Sequence, residues 1–75
     1  MTMALSGVRP GWKVYARAAE VGTVETVDNG DLYFRRGRLI QHRYRVPGEF
    51  VESADEGVVD LKLDPDTIEQ FAEGG

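Results

Sequence analysis

Between Val21 and Arg36 the chain reads VGTVETVDNGDLYFRR, two runs of strand-forming residues divided by Asp28-Asn29-Gly30-Asp31. A two-residue hairpin turn of type I′ needs positive φ at both central positions, and Asn-Gly adopts it at little cost. The first half of the chain is thereby committed to antiparallel β structure. In the second run Leu32 and Phe34 share one face, and Tyr33 and Arg35 share the other. In the first run Val21, Val24 and Val27 are spaced by three, which breaks strict alternation. Gly22 is the natural place there for a bulge or a close backbone approach.

The remaining punctuation suits the same class. Pro10-Gly11 makes a turn ahead of Trp12, and Lys13–Arg17 alternates with Val14 and Ala16 on one face. Ala18-Ala19-Glu20 reads as a short connection, and Arg36-Gly37-Arg38 as a second turn leading into Leu39-Ile40-Gln41. In His42–Val46, Tyr44 and Val46 alternate with Arg43 and Arg45, until Pro47-Gly48 ends the strand. Phe50-Val51 reads as a short strand or bend. Past Gly57, the residues Val59, Leu61 and Leu63 form an inward face. Asp64-Pro65-Asp66 then carries the signals of a helix start, with Ile68, Phe71 and Ala72 as one apolar stripe and Gly74-Gly75 as the stop. The expectation is an all-β domain over residues 8–73, after a flexible tail at 1–7. Five to six short antiparallel strands would close into a small barrel, which removes exposed edges, with a short C-terminal helix docked on it.

Seventy-five residues allow one domain with a thin core. Trp12 is expected to plug that core or one end of the barrel. There is no cysteine, so no disulfide or thiolate metal site staples the fold, which fits a reducing cytoplasm. The first residues lack the charged and apolar regions of a signal peptide, and no apolar run nears the roughly 18–20 residues that span a bilayer. A cytoplasmic protein without membrane insertion is therefore expected. Net charge is −4, unevenly spread. Residues 1–48 hold eight Lys/Arg against four Asp/Glu, and residues 49–75 hold one against nine. A wholesale nucleic-acid binder would be basic overall, and this chain is not.

Four segments together resemble a known family: Val8-Arg9-Pro10-Gly11-Trp12-Lys13-Val14; Val21-Gly22-Thr23-Val24-Glu25-Thr26-Val27; Tyr44-Arg45-Val46-Pro47 with Phe50-Val51; and Gly57-Val58-Val59-Asp60-Leu61. They are similar to the PRC-barrel superfamily, above all to its small stand-alone bacterial members of unknown function. The superfamily includes a cytoplasmic domain of the photosynthetic reaction-centre H subunit and a domain of a ribosome maturation factor. The likeness spans about residues 8–63. It implies an interaction or adaptor module and carries no shared catalytic set. The loop between the first two strands, usually longer and polar in that family, is short here.

The sharpest candidate surface is cationic. Arg35, Arg36, Arg38, Arg43 and Arg45, with His42, occur without an acid among them, and Tyr33 shares a face with Arg35. Planar guanidinium groups bind carboxylate or phosphate bidentately, and a tyrosine ring can stack on a base. The expected partner is an acidic protein, or a second copy of the chain through Leu39 and Ile40, with RNA as the alternative. The plainer expectation is a solvated face whose arginines meet the acidic C-terminal half. Catalysis finds little footing. His42 is the only histidine, Ser6 and Ser53 have no evident base, and no glycine-rich phosphate loop precedes a helix. Asp60, Asp64 and Asp66 lack the ligand spacing of an EF-hand. No metal, cofactor or small-molecule substrate is expected, because side chains fill so small a barrel.

Overall fold

The computed structural model describes residues 7–37 and 39–73. Residues 1–6, Arg38 and the last two glycines lie outside them, and with them most of the expected tail and the expected glycine stop. Six strands form one sheet: β1 (Lys13–Ala16), β2 (Ala19–Asp28), β3 (Asp31–Arg36), β4 (His42–Pro47), β5 (Val51–Asp55) and β6 (Val58–Leu61). Their order across the sheet is β4-β3-β2-β1-β6-β5. All neighbours are antiparallel except β1 and β6, which run parallel.

The Asn29-Gly30 turn forms as read, with φ of 53° and 78° and Asp28 paired to Asp31. Two further hairpins turn on pairs with both φ positive: Arg17-Ala18 and Glu56-Gly57. Arg17-Ala18 holds neither glycine nor asparagine, so its left-handed backbone costs roughly 1–2 kcal/mol per residue. Ala19 and Glu20 accordingly belong to β2 rather than to a connection. The 51–55 strand shows in sequence only at Val51, because Glu52-Ser53-Ala54-Asp55 is polar and mostly exposed.

The valine spacing of three has a structural cause. Val14 pairs with Gly22 but Tyr15 pairs with Glu20, which leaves Val21 as an extra residue. Val24 pairs with Phe34 but Thr26 pairs with Tyr33, which leaves Glu25 as a second extra. Each bulge shifts the side-chain parity by one, so Val21 and Val24 are both buried and Val27 packs partly against the same core. Gly22 lies directly against the Phe34-Arg35 stretch of β3. A Cβ there would run into the Arg35 carbonyl oxygen and come within 2.6 Å of Phe34 Cδ2.

The inner face carries Val14, Ala16, Val24, Leu32, Phe34, Tyr44, Val46, Val59 and Leu61, with Ile68 and Leu63 covering it. Trp12 is half-buried against this core, in keeping with a plugging role.

Two expectations are corrected. The sheet is not closed into a barrel: β4 and β5 stand at opposite ends of the strand order and do not pair. Instead, β4 has its outer edge covered by the C-terminal segment, through a bridge between Tyr44 and Ala72 and a 2.8 Å bond from the Glu73 amide to the Arg43 carbonyl. The C-terminal helix is also replaced. Among the described residues Asp64-Pro65-Asp66 form a turn, and Thr67–Phe71 is a single 3₁₀ stretch. Three residues per turn align Ile68 and Phe71 on one face but swing Ala72 away, so Ala72 meets β4 instead. Asp64 does not cap a helix; its carboxylate meets Arg17 Nε at 3.2 Å. An α-helix of under ten residues is too short to stand by propensity alone, and the strand edge competes successfully for its end.

Candidate cationic face and apolar loop

The β3–β4 register sets Tyr33 opposite Arg45, Phe34 opposite Tyr44, and Arg35 opposite Arg43. Tyr33, Arg35, Arg43 and Arg45 therefore share the outward face, as their alternation in the sequence predicts. On the inward face Phe34 and Tyr44 stack with ring centroids 5.2 Å apart. Arg36 follows the inward parity and is not part of the outward group. It reaches Glu69 on the 3₁₀ stretch through Nη1, at 3.1 Å. Arg38 lies outside the described residues.

Most of the outward cations are engaged. Arg43 Nε lies 2.6 Å from Glu25 Oε1, and its guanidinium carbon is 4.7 Å from the Tyr33 ring centroid. The Arg43–Glu25 contact is a close ion pair without good hydrogen-bond alignment. Arg45 lies 3.9 Å from Asp31 and 4.0 Å from Glu73. Its guanidinium is held more firmly protonated, chiefly by the Tyr33 hydroxyl across the strand pair and then by Asp31. Among the described residues Arg35 alone of this face has no carboxylate within 4.0 Å. The plainer expectation is thus met for Arg36 and in part for Arg45, whose acids come from the C-terminal half. Arg43 draws its acid from the β2 bulge. Each of these exposed pairs contributes at most about 1 kcal/mol.

Sequence reading missed Glu25 and Glu69 as partners. A signal for Glu25 was present, since the valine spacing marks it as the extra residue. Glu69 carried none, because only the fold brings the 3₁₀ stretch to β4.

Glu69 also accepts a 3.0 Å hydrogen bond from the Tyr44 hydroxyl. Burial pushes the Tyr44 phenol above its usual value of 10.0, and the bond to the Glu69 carboxylate adds to this. The folded protein therefore holds the Tyr44 proton more tightly than the unfolded chain does. This contribution is complete below about pH 10 and is lost as pH rises through the folded value. Tyr44→Phe is expected to cost about 1–1.5 kcal/mol at pH 7 and to make the alkaline loss of stability shallower. Urea titrations at pH 7 and above pH 10 check both.

Two open depressions flank these residues. One of about 720 Å³ is lined by Arg43, Arg45 and the 70–73 segment, and one of about 400 Å³ lies beside Gly22, Thr23, Arg35 and Gln41. Between β3 and β4, Leu39 is 100% and Ile40 74% exposed, the large apolar side chains left uncovered among the described residues. His42 is exposed at the start of β4. Asp60 accepts a 3.2 Å bond from the Ser53 hydroxyl, while Asp64 is turned to Arg17. Among the described residues no three His, Cys, Asp or Glu side chains gather as metal ligands would. No described helix is long and apolar enough to cross a membrane. Compared with protein-family models, with curated proteins and with solved structures, the chain matches none.

Proposed function

We propose that this chain is a non-enzymatic interaction module, related to the PRC-barrel superfamily, whose outward β3–β4 face binds an acidic protein. The observation that carries the reading is Arg35. It shares a rigid, paired strand face with Tyr33, Arg43 and Arg45, and it alone of these cations lacks an acidic neighbour within the described residues. A free guanidinium offers a bidentate site to a carboxylate without first breaking an internal pair. The resemblance over residues 8–63 supports an adaptor role. A second copy meeting this one through Leu39 and Ile40 is disfavoured, since two apolar side chains on one loop fall far short of the area a stable dimer buries. The RNA alternative is weakened because the Arg43 guanidinium already covers the Tyr33 ring on which a base would stack.

Arg35→Glu is the direct test, because the side chain is exposed and its replacement breaks no internal pair. Immobilised wild-type protein is expected to retain a defined acidic protein from a cell extract, and Arg35→Glu to lose it by roughly tenfold or more. Equal recovery by both, or recovery of chaperones alone, overturns the reading. Generic RNA bound at low salt with a steep salt slope would favour the alternative.

A further inference from the structure

The loop between β3 and β4 places apolar side chains where nothing within the described chain covers them. Gly37 takes φ +114°, and a Cβ there would run into the Ile40 carbonyl oxygen, so glycine lets the loop fold back within five residues. Leu39 and Ile40, consecutive in that loop, are both exposed. Cations frame them. Arg35 is uncompensated among the described residues, and Arg38 precedes Leu39 directly in the sequence. Arg36 and Arg43 are balanced by Glu69 and Glu25. Glu20 lines the same depression as Arg35, Gly37 and Gln41 but is balanced by Lys13 at 3.7 Å, while the acids of the β2–β3 turn, Asp28 and Asp31, sit at the far end of β3. A six-residue strand puts them about 17 Å away, roughly two screening lengths at physiological salt. The loop end is therefore locally positive in a chain of net charge −4.

We propose that the Leu39–Ile40 tip anchors the protein reversibly to an anionic phospholipid surface. The two aliphatic side chains enter the headgroup boundary while Arg35 meets lipid phosphates. Two observations select this occupant. The apolar area is that of two side chains on a narrow loop, far below the roughly 800 Å² per partner of a stable protein interface. A lipid boundary accepts such a tip without a matching cavity. The cationic frame then supplies the complementarity, each cation near an anionic leaflet being worth roughly fivefold in partitioning. This proposal rests on the loop rather than on the acidic-partner reading, with Arg35 common to both.

Cosedimentation of the whole protein with phosphatidylcholine vesicles, with and without roughly one-third phosphatidylglycerol, tests it. Binding at millimolar lipid is expected for the anionic vesicles and about tenfold less for the neutral ones. Leu39→Ser with Ile40→Ser is expected to reduce anionic binding at least about tenfold while leaving Arg35 in place, so this proposal and the acidic-partner reading fail separately. Leu39→Trp, read by its emission, is expected to shift to the blue on adding anionic vesicles alone. Absence of binding to anionic vesicles overturns the proposal, as does binding undiminished in the double serine variant. A concentration-dependent dimer abolished by those serines would reassign the tip to a second copy and overturn it equally. So would a protein that the wild type captures and the serine variant loses, in the absence of vesicle binding.

Discussion

Phe34→Ala is expected to remove about 3–5 kcal/mol of stability, the range for truncating a fully buried phenylalanine. A domain of this size holds roughly 4–11 kcal/mol in all, so the variant stands near the limit of folding. The reason is local as well as general. Phe34 stacks on Tyr44, lies against Gly22 and is the largest fully buried side chain among the described residues. Its loss opens a cavity between β2 and β4 that neither strand can close without breaking its register with its neighbour. Urea unfolding should show a much lower midpoint with an unchanged slope. A loss under about 1 kcal/mol would mean that the core is not organised around this ring.

Gly22→Ala should be nearly as damaging, although it adds one methyl group. The new Cβ would meet the Arg35 carbonyl oxygen, which is backbone in a paired strand, and the edge of the Phe34 ring. We expect a cost of about 3 kcal/mol, the upper part of the overpacking range, and a fall in Tm of roughly 12–24 °C. Phe34→Leu in the same chain separates the two obstacles. It removes the ring contact but not the carbonyl contact, so it should recover little of the loss. Full recovery would show that the ring, and not the β3 backbone, excludes a side chain at position 22.

Gly22 also illustrates how far local signals reach. Its place in a β run, with valines on either side at spacings that fit no simple alternation, marked an irregular strand. The structure resolves that irregularity into two bulges, at Val21 and Glu25. The Asn29-Gly30 turn was legible for the same reason: its backbone requirement is met by two adjacent residues. Arg17-Ala18 forms a similar turn without such residues, and it is legible only once β1 and β2 are paired. The 51–55 strand was hidden because an edge strand lying half in water need not alternate. The helix start at Asp64-Pro65-Asp66 was a true local preference overruled by a better tertiary contact, the pairing of Ala72 and Glu73 with β4.

For the candidate site the division runs the same way. Alternation within β3 and β4 was enough to put Tyr33, Arg35, Arg43 and Arg45 on one outward face, because side-chain parity in a strand is a property of adjacent residues. Arg36 was misassigned when grouped by proximity in sequence rather than by parity. Which arginines stay free was beyond the sequence altogether. Charge counts show only that acids outnumber bases after residue 48. It is the fold that carries Glu69 to Arg36 and Glu73 toward Arg45, turns Glu25 toward Arg43, and leaves Arg35 without a partner among the described residues.

The amino-acid sequence by itself determined that this chain is β, that a hairpin turns at Asn29-Gly30, and which side chains of β3 and β4 face together. These follow from φ preferences and a two-residue period, both set by near neighbours. Only the tertiary structure decided that the sheet stays open, that its last segment covers a strand edge instead of forming a helix, and which cation of the outward β3–β4 face and which apolar tip stand unpaired among the described residues. Those outcomes depend on contacts between residues 18 to 47 positions apart, for which no local pattern carries the information.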